Sequence, residues 1–226
     1  KINLRYEMFN ANNFIRRARK KDKTIVFPEA GFSDRIIEAV KIIKRKKIAK
    51  VILIGDESAL VLRYKDAIKG MTIINPKTSN LYSELVELLF EKRKDKGLTR
   101  QQAEELALDP IYFAVLLVEA GLADGMVAGA ETSSAKVIKP ALQIIKAKVK
   151  GEVVSSFMML YGKNKILGKN GVLFGADVGV VPNPSQEELV QIAKQTANSF
   201  QKLTNKSARV AMLSYSTYGS ANSELT

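Results

Sequence analysis

The sequence predicts an α/β fold, mostly parallel sheets flanked by helices on both faces (α/β/α), in two domains with a cleft between them. Three observations carry that prediction. Short β-branched or apolar runs alternate with amphipathic helical patterns through the first half of the chain. The runs stop at turn formers: Pro28, Gly55-Asp56 and Asn75-Pro76. After Lys148 the character changes, with Lys150-Gly151 as a hinge. The first domain is therefore expected over residues 1–149 and the second over 150–226, incomplete at its C-terminal end.

In chain order, residues 9–19 read as a basic helix and Thr24–Phe27 as a strand leaving its sheet at Pro28. Ser33-Asp34-Arg35 opens a helix whose stripe is Ile36, Ile37, Val40, Ile43 and Ile48. Strands follow at Lys50–Ile54 and Met71–Ile74, with a helix from Glu57 to about Lys65 between them. Residues 80–96 place Leu81, Leu85, Leu88 and Leu89 on one helical side, and Gly97 ends that helix. Thr99 and Gln102 have the spacing of a capping box. Asp109-Pro110 starts a helix over Ile111–Ala120 that is apolar almost all round, as a fully buried helix is.

Residues 126–128 read as the end of a buried strand that breaks at Gly129, passes Thr132, Ser133 and Ser134, and enters a helix. The first amides of such a helix are free donors and its dipole favours an anion. Lys136 and Lys139 share one face of it. Because proline is tolerated in a first turn, Pro140 leaves the start open between Ser133-Ser134 and Lys139. Two readings stay open here, an anion site and an ordinary strand-to-helix connection.

In the second domain Val153–Tyr161 reads as a long strand containing Ser155-Ser156. Residues 162–171 read as a hairpin connection and Val172–Asp177 as the returning strand. Ser185 and Glu188 form another capping box, for a helix striped by Leu189, Ile192, Ala193 and Thr196. Arg209–Leu213 reads as a buried strand running into Ser214, Tyr215, Ser216, Thr217, Tyr218, Gly219 and Ser220. Hydroxyls and amides at the C-terminal end of a strand, as in this loop, can hold a phosphoryl group.

Composition excludes several chemistries. At 226 residues, 46% hydrophobic and 26% charged, the chain buries a substantial core. It has no Cys and no His, so thiol nucleophiles, Cys/His metal centres and Ser-His-Asp triads are absent from it. No metal is expected. The net charge of +13 favours anionic partners. Because the lysines are scattered and no basic arm is present, those partners are not expected to be nucleic acids. No apolar run is long enough for a membrane span, and a cytoplasmic protein with no membrane partner is expected. Neither a P-loop nor a dinucleotide fingerprint is found.

Four stretches carry a family resemblance: Val26-Phe27-Pro28-Glu29, residues 123–130 (Ala-Asp-Gly-Met-Val-Ala-Gly-Ala), residues 139–145 (Lys-Pro-Ala-Leu-Gln-Ile-Ile), and residues 210–217 (Val-Ala-Met-Leu-Ser-Tyr-Ser-Thr). In order and spacing they resemble phosphate acetyltransferase, also called phosphotransacetylase. Similar stretches occur in phosphate butyryltransferases and in the C-terminal domain of some malic enzymes. The resemblance implies reversible acetyl transfer between acetyl phosphate and coenzyme A, with coenzyme A as substrate and no other cofactor, on a two-domain fold that dimerises.

It also implies substrate contacts. Arg93 stands where the family has an arginine on a coenzyme A phosphate. Lys139 stands where the family usually has arginine, keeping the charge without the bidentate fork. Ser133, Ser134 and the Ser214–Ser220 loop are expected on the phosphoryl group, from opposite walls of the cleft. The catalytic residue is unassigned, because the family's Ser-Arg pair and the Asp proposed as base would lie beyond Thr226. Ser220–Thr226 itself reads as the start of a helix, and Lys1 is not an initiator methionine. The expected function is thus acetyl transfer. The alternatives are a butyryl or other acyl-phosphate transferase, or an inactive module that binds coenzyme A or an acyl phosphate.

Overall fold

The computed structural model describes residues 11–147, 149, 151–162, 168 and 171–213. The chain falls into two compact units that divide between Ala147 and Lys148.

Residues 10–147 build a three-layer α/β unit. Its elements are α1 (Ala11–Arg19), β1 (Thr24–Phe27), α2 (Asp34–Lys46), β2 (Lys50–Ile54), α3 (Glu57–Ile68) and β3 (Thr72–Ile74). Then come α4 (Tyr82–Arg93) with a short 3-10 turn at Lys94–Lys96, α5 (Arg100–Ala107), α6 (Pro110–Glu119), β4 (Gly125–Met126) and α7 (Ser134–Ile144). The sheet has the order β3-β2-β1-β4, and every pairing is parallel.

Strand side chains alternate between two faces, so each strand feeds two cores. On one face Val26, Ile52 and Ile54 pack with Leu85, Leu89, Phe113 and Leu116 from α4 and α6. On the other, Phe27, Val51 and Leu53 pack with Ile36, Ile37 and Val40 of α2 and Leu60 of α3. The all-round apolarity of α6 has its expected outcome, for Ile111 and the run Phe113–Leu117 are buried. The Asp109 carboxylate caps that helix by accepting from the amides of Ile111 and Tyr112 at 2.8 and 3.1 Å. The Thr99–Gln102 capping box forms in full.

The second unit is thinner. Its described elements are β5 (Met158–Tyr161), β6 (Val172–Gly175) and α8 (Gln186–Thr204). The hairpin β5–β6 is antiparallel, so parallel pairing is confined among the described residues to the first unit. The Ser185–Glu188 capping box forms as expected.

Two strand expectations fail here. Residues 153–157, the first part of the expected Val153–Tyr161 strand, join no ladder, and side chains hold the Val153 amide and carbonyl and the Ser156 amide. The Val153 amide donates to Gln191 Oε1 at 2.7 Å, and Gln195 Nε2 donates to the Val153 carbonyl at 3.0 Å. Gln191 and Gln195 lie one turn apart on α8 and hold the segment along it. Residues 209–213, expected as a buried strand, are exposed and unladdered. An apolar run becomes a buried strand only beside a partner, and neither β5 nor β6 pairs with it.

Candidate active site

Strand order places the site of interest. From β1 the chain winds outward through β2 and β3, then returns to lay β4 on the other side of β1. The crevice beyond the carboxyl ends of β1 and β4 is the topological switch point, where open α/β sheets accept ligands. Two loops line it: Pro28–Ser33 after β1 and Val127–Ser133 after β4.

Glu29 fills the base of that crevice. Its side chain is 0% exposed. Oε2 accepts from the amides of Gly129 and Ala130, each at 2.8 Å, and Oε1 from those of Glu131 and Thr132 at 2.9 and 2.7 Å. Burial alone would raise the Glu29 pKa. The amides of Glu131 and Ala130, with the hydroxyl and amide of Thr132, outweigh it and hold the group below its ordinary value. Gly129 supports the turn with φ of 102°, a conformation that glycine adopts without a Cβ penalty.

The loop therefore does bind an anion, and the anion is the chain's own carboxylate. Around it Ser33, buried, donates from Oγ to Glu131 Oε1 at 3.1 Å. Arg35 pairs with Glu131 at 2.9 Å and donates to the Ala130 carbonyl. Ser33 opens α2 without capping it, because its hydroxyl is committed to Glu131.

The helix after this loop starts early. Ser133 is the N-cap of α7 and Ser134 its first residue; both are exposed. Pro140 lies inside α7 and is buried. It has no N–H to give the Lys136 carbonyl. Lys139 is consequently in the second turn, exposed and without a hydrogen-bond or ion-pair partner among the described residues. Lys136, not Lys139, lies in the first turn, the range over which the helix dipole acts strongly.

Arg93 ends α4 half-buried, and its guanidinium has no hydrogen-bond or ion-pair partner among the described residues. Its charge acts on Tyr112: burial and Asp109 raise the phenol's pKa, and Arg93 works against them. The Tyr112 hydroxyl donates to Gln143 Oε1 at 2.9 Å. Gln143 lies one turn beyond Lys139 on α7, on the same face. Ser133-Ser134 and the Arg93–Tyr112–Gln143 group thus stand toward opposite ends of an 11-residue helix, about 16 Å long, with Lys139 between them. Ser214, Tyr215, Ser216, Thr217, Gly219 and Ser220 lie outside the described residues.

The second unit holds a comparable carboxylate. Asp177 Oδ1 accepts from the Ser156 amide at 2.8 Å, the Val178 amide at 2.7 Å and the Ser156 hydroxyl. Its Oδ2 accepts from the amides of Val180 and Val181 at 3.0 and 2.5 Å. Burial would raise its pKa. The Ser156 hydroxyl and the amides of Val181, Ser156 and Val180 instead bring it down to about 2. Sequence reasoning passed over Glu29, Tyr112, Gln143 and Asp177. For Glu29 a signal existed, a lone acid directly after a strand that ends at Phe-Pro.

The family model described as Phosphate acetyl/butaryl transferase matches residues 9–226. A phosphate acetyltransferase of Acetivibrio thermocellus is 44% identical over 213 residues, covering 94% of this chain and 64% of that protein. One from Clostridium acetobutylicum is 36% identical, covering 92% and 63%. A phosphotransacetylase from Streptococcus pyogenes superposes with a TM-score of 0.77 at 30% identity, covering 96% of this chain and 66% of that one. The chain spans just under two thirds of the length of these relatives. With its motifs, its parallel sheet and a family match over nearly its whole length, the chain belongs to the Phosphate acetyl/butaryl transferase family.

Proposed function

We propose that the protein containing this chain transfers an acetyl group reversibly between acetyl phosphate and coenzyme A. The observation that carries the proposal is Arg93, a half-buried guanidinium with no hydrogen-bond or ion-pair partner among the described residues, whose charge acts on Tyr112, itself bonded to Gln143. A partly desolvated cation in that position calls for an anion from outside the chain. Coenzyme A is long and carries phosphates far from its reactive thiol. In this reading α7 is the bed along which it lies. Arg93 and Lys139 take its phosphates, and the free amides of α7 with Ser133-Ser134 take the acyl-phosphate end. The Ser214–Ser220 hydroxyls, which the family resemblance puts on the phosphoryl group, belong to the same proposal.

The reaction is direct attack of the thiolate on the acetyl carbonyl: a carbon–sulfur bond forms, the carbon–oxygen bond to phosphate breaks, and phosphate leaves. No Cys or His is available for an acyl-enzyme on this chain. Its residues would act by orientation and by stabilising charge on the phosphoryl oxygens. The thiol's base, the cytoplasmic location and a homodimeric assembly belong to the same proposal.

The test is phosphate-dependent release of coenzyme A from acetyl-coenzyme A by the full-length protein. Arg93→Ala and Lys139→Ala should each raise the KM for coenzyme A, by about tenfold for a lost charge-assisted contact. Lys139→Arg should lower it or leave it unchanged. No exchange above background would refute the activity. The family description covers butyryl as well as acetyl transfer, and acyl chain-length preference in the same assay separates the two. Coenzyme A binding by calorimetry without turnover would leave a binding module.

A further inference from the structure

A second feature of the first unit lies at the opposite end of its sheet. A cavity of about 440 Å³ opens where β1, β2 and β3 begin, floored by their first residues and walled by the C-terminal ends of α1, α2 and α3. Its lining carries Arg19, Lys44, Lys47, Lys50 and Lys69 against a single carboxylate, Asp22.

Three of these cations have partners in the protein. Arg19 donates to the Lys46 carbonyl at 2.5 Å, Lys44 to the Asp66 carbonyl at 3.2 Å, and Lys50 pairs with Asp22 at 2.6 Å. The first two satisfy the last carbonyls of α2 and α3, an ordinary use of a cation at a helix end. Lys47 and Lys69 are different. They are the C-cap residues of α2 and α3, they line the same cavity, and neither ammonium has a partner among the described residues. Lys47 is also left-handed, with φ 49° and ψ 48°, where glycine is the residue of least strain. A Gly there would end the helix equally well and bring no charge to the cavity.

A concave site with one dominant sign concentrates counter-ions more than the same charges spread over a convex surface. Ile48, Val51 and Met71 give the lining apolar surface beside the ammonium groups. The volume falls in the range of small-molecule pockets. We propose that this cavity binds an organic pyrophosphate, the phosphates between Lys47 and Lys69 and the organic part on the apolar floor. The site is separate from the switch-point crevice, which lies beyond the other ends of the same strands.

Titration of the chain with ADP, and with inorganic pyrophosphate as the part-ligand, followed by amide chemical shifts, tests this. Shifts are expected at residues 47–52 and 69–72, with ADP tighter than pyrophosphate. Lys47→Gly keeps the left-handed backbone, so its Tm should be unchanged or higher while affinity for ADP falls about tenfold. Lys47→Glu with Lys69→Glu should abolish binding, and Arg93→Ala with Lys139→Ala should leave it intact. The proposal is overturned if millimolar ADP shifts nothing in these segments, or if only the Arg93 and Lys139 changes remove binding. It is equally overturned if duplex DNA displaces ADP with a steep salt dependence, for the patch would then serve a polymer.

Discussion

Glu29 and Asp177 are both carboxylates wrapped in backbone amides, yet they do different things. Glu29 collects four amides from a loop about 100 residues further along the chain, inside a unit with a core on each face of its sheet. Asp177 collects the amides of its own following residues and the amide and hydroxyl of Ser156, 21 residues earlier. Among the described residues of the second unit the buried hydrophobic side chains are Val172 and Ile192. Glu29 ties two distant loops together, whereas Asp177 mostly orders its own following turn and ties it to Ser156. The worth of a buried charge depends on where its donors come from.

The sharpest way to break this comparison is Glu29→Gln. The amide keeps one acceptor and turns an NH2 toward backbone N–H groups, leaving about two buried donors unsatisfied. Stability should fall by roughly 2–5 kcal/mol in urea denaturation. A loss under 1 kcal/mol would mean that water reaches the crevice.

Asp177→Asn should cost about 2 kcal/mol, from a carboxyl shifted from 3.8 to about 2. The effect should be local: hydrogen exchange should accelerate at Ser156 and residues 178–181 and stay unchanged in residues 10–147. The pH dependence has a definite sign. A carboxylate whose folded pKa is lowered contributes above its unfolded value and loses that contribution as pH falls through the folded one. For Asp177 the loss runs between about pH 4 and pH 2. Glu29, also lowered, begins its loss below the ordinary glutamate value. Glu29→Gln should therefore flatten the acid limb for the first unit, and Asp177→Asn only for the second.

A smaller effect is expected at the neighbouring pair of turns, where no carboxylate intervenes. Gly31 and Gly55 bring two backbones together, and a Cβ on Gly55 would stand 3.0 Å from Gly31 Cα and from Leu60 Cδ1. Gly55→Ala should cost about 1–2 kcal/mol in a thermal melt, since the leucine can turn away but the backbone cannot.

Much of the fold was legible because its signals are local. Thr99 with Gln102 and Ser185 with Glu188 announce helix starts, Gly97 and Gly121 announce helix ends, and the run Phe113–Leu117 announces burial. The strand rhythm of the first unit is local in the same sense. The losses came where distant partners decide. Nothing near Glu29 in sequence reveals that its acceptors will meet amides of Gly129–Thr132. Val153 looks like strand until Gln191 and Gln195 claim its backbone. Residues 209–213 have strand composition and no strand beside them. At the candidate site the sequence offered two helix starts, Ser133-Ser134 and Lys139, and α7 begins at the first. Spacing alone left the start of α7 ambiguous, because Pro140 is equally at home in a first turn.

The strand order also sets a sequence of events in time. β1 meets β2 across about 26 residues, Ile25 opposite Val51, but it meets β4 across 100, Ile25 opposite Gly125. Closing the longer loop costs about 1 kcal/mol more in chain entropy, before α6 and α7 can contribute their packing. The β1–β2–β3 half is therefore expected to assemble first and β4 to dock onto it late. Glu29 then acts as a latch that shuts after the barrier is crossed, and its loss appears in how fast the molecule opens. In a stopped-flow chevron, Glu29→Gln should raise the unfolding limb by about 30-fold or more while the refolding limb stays where it was.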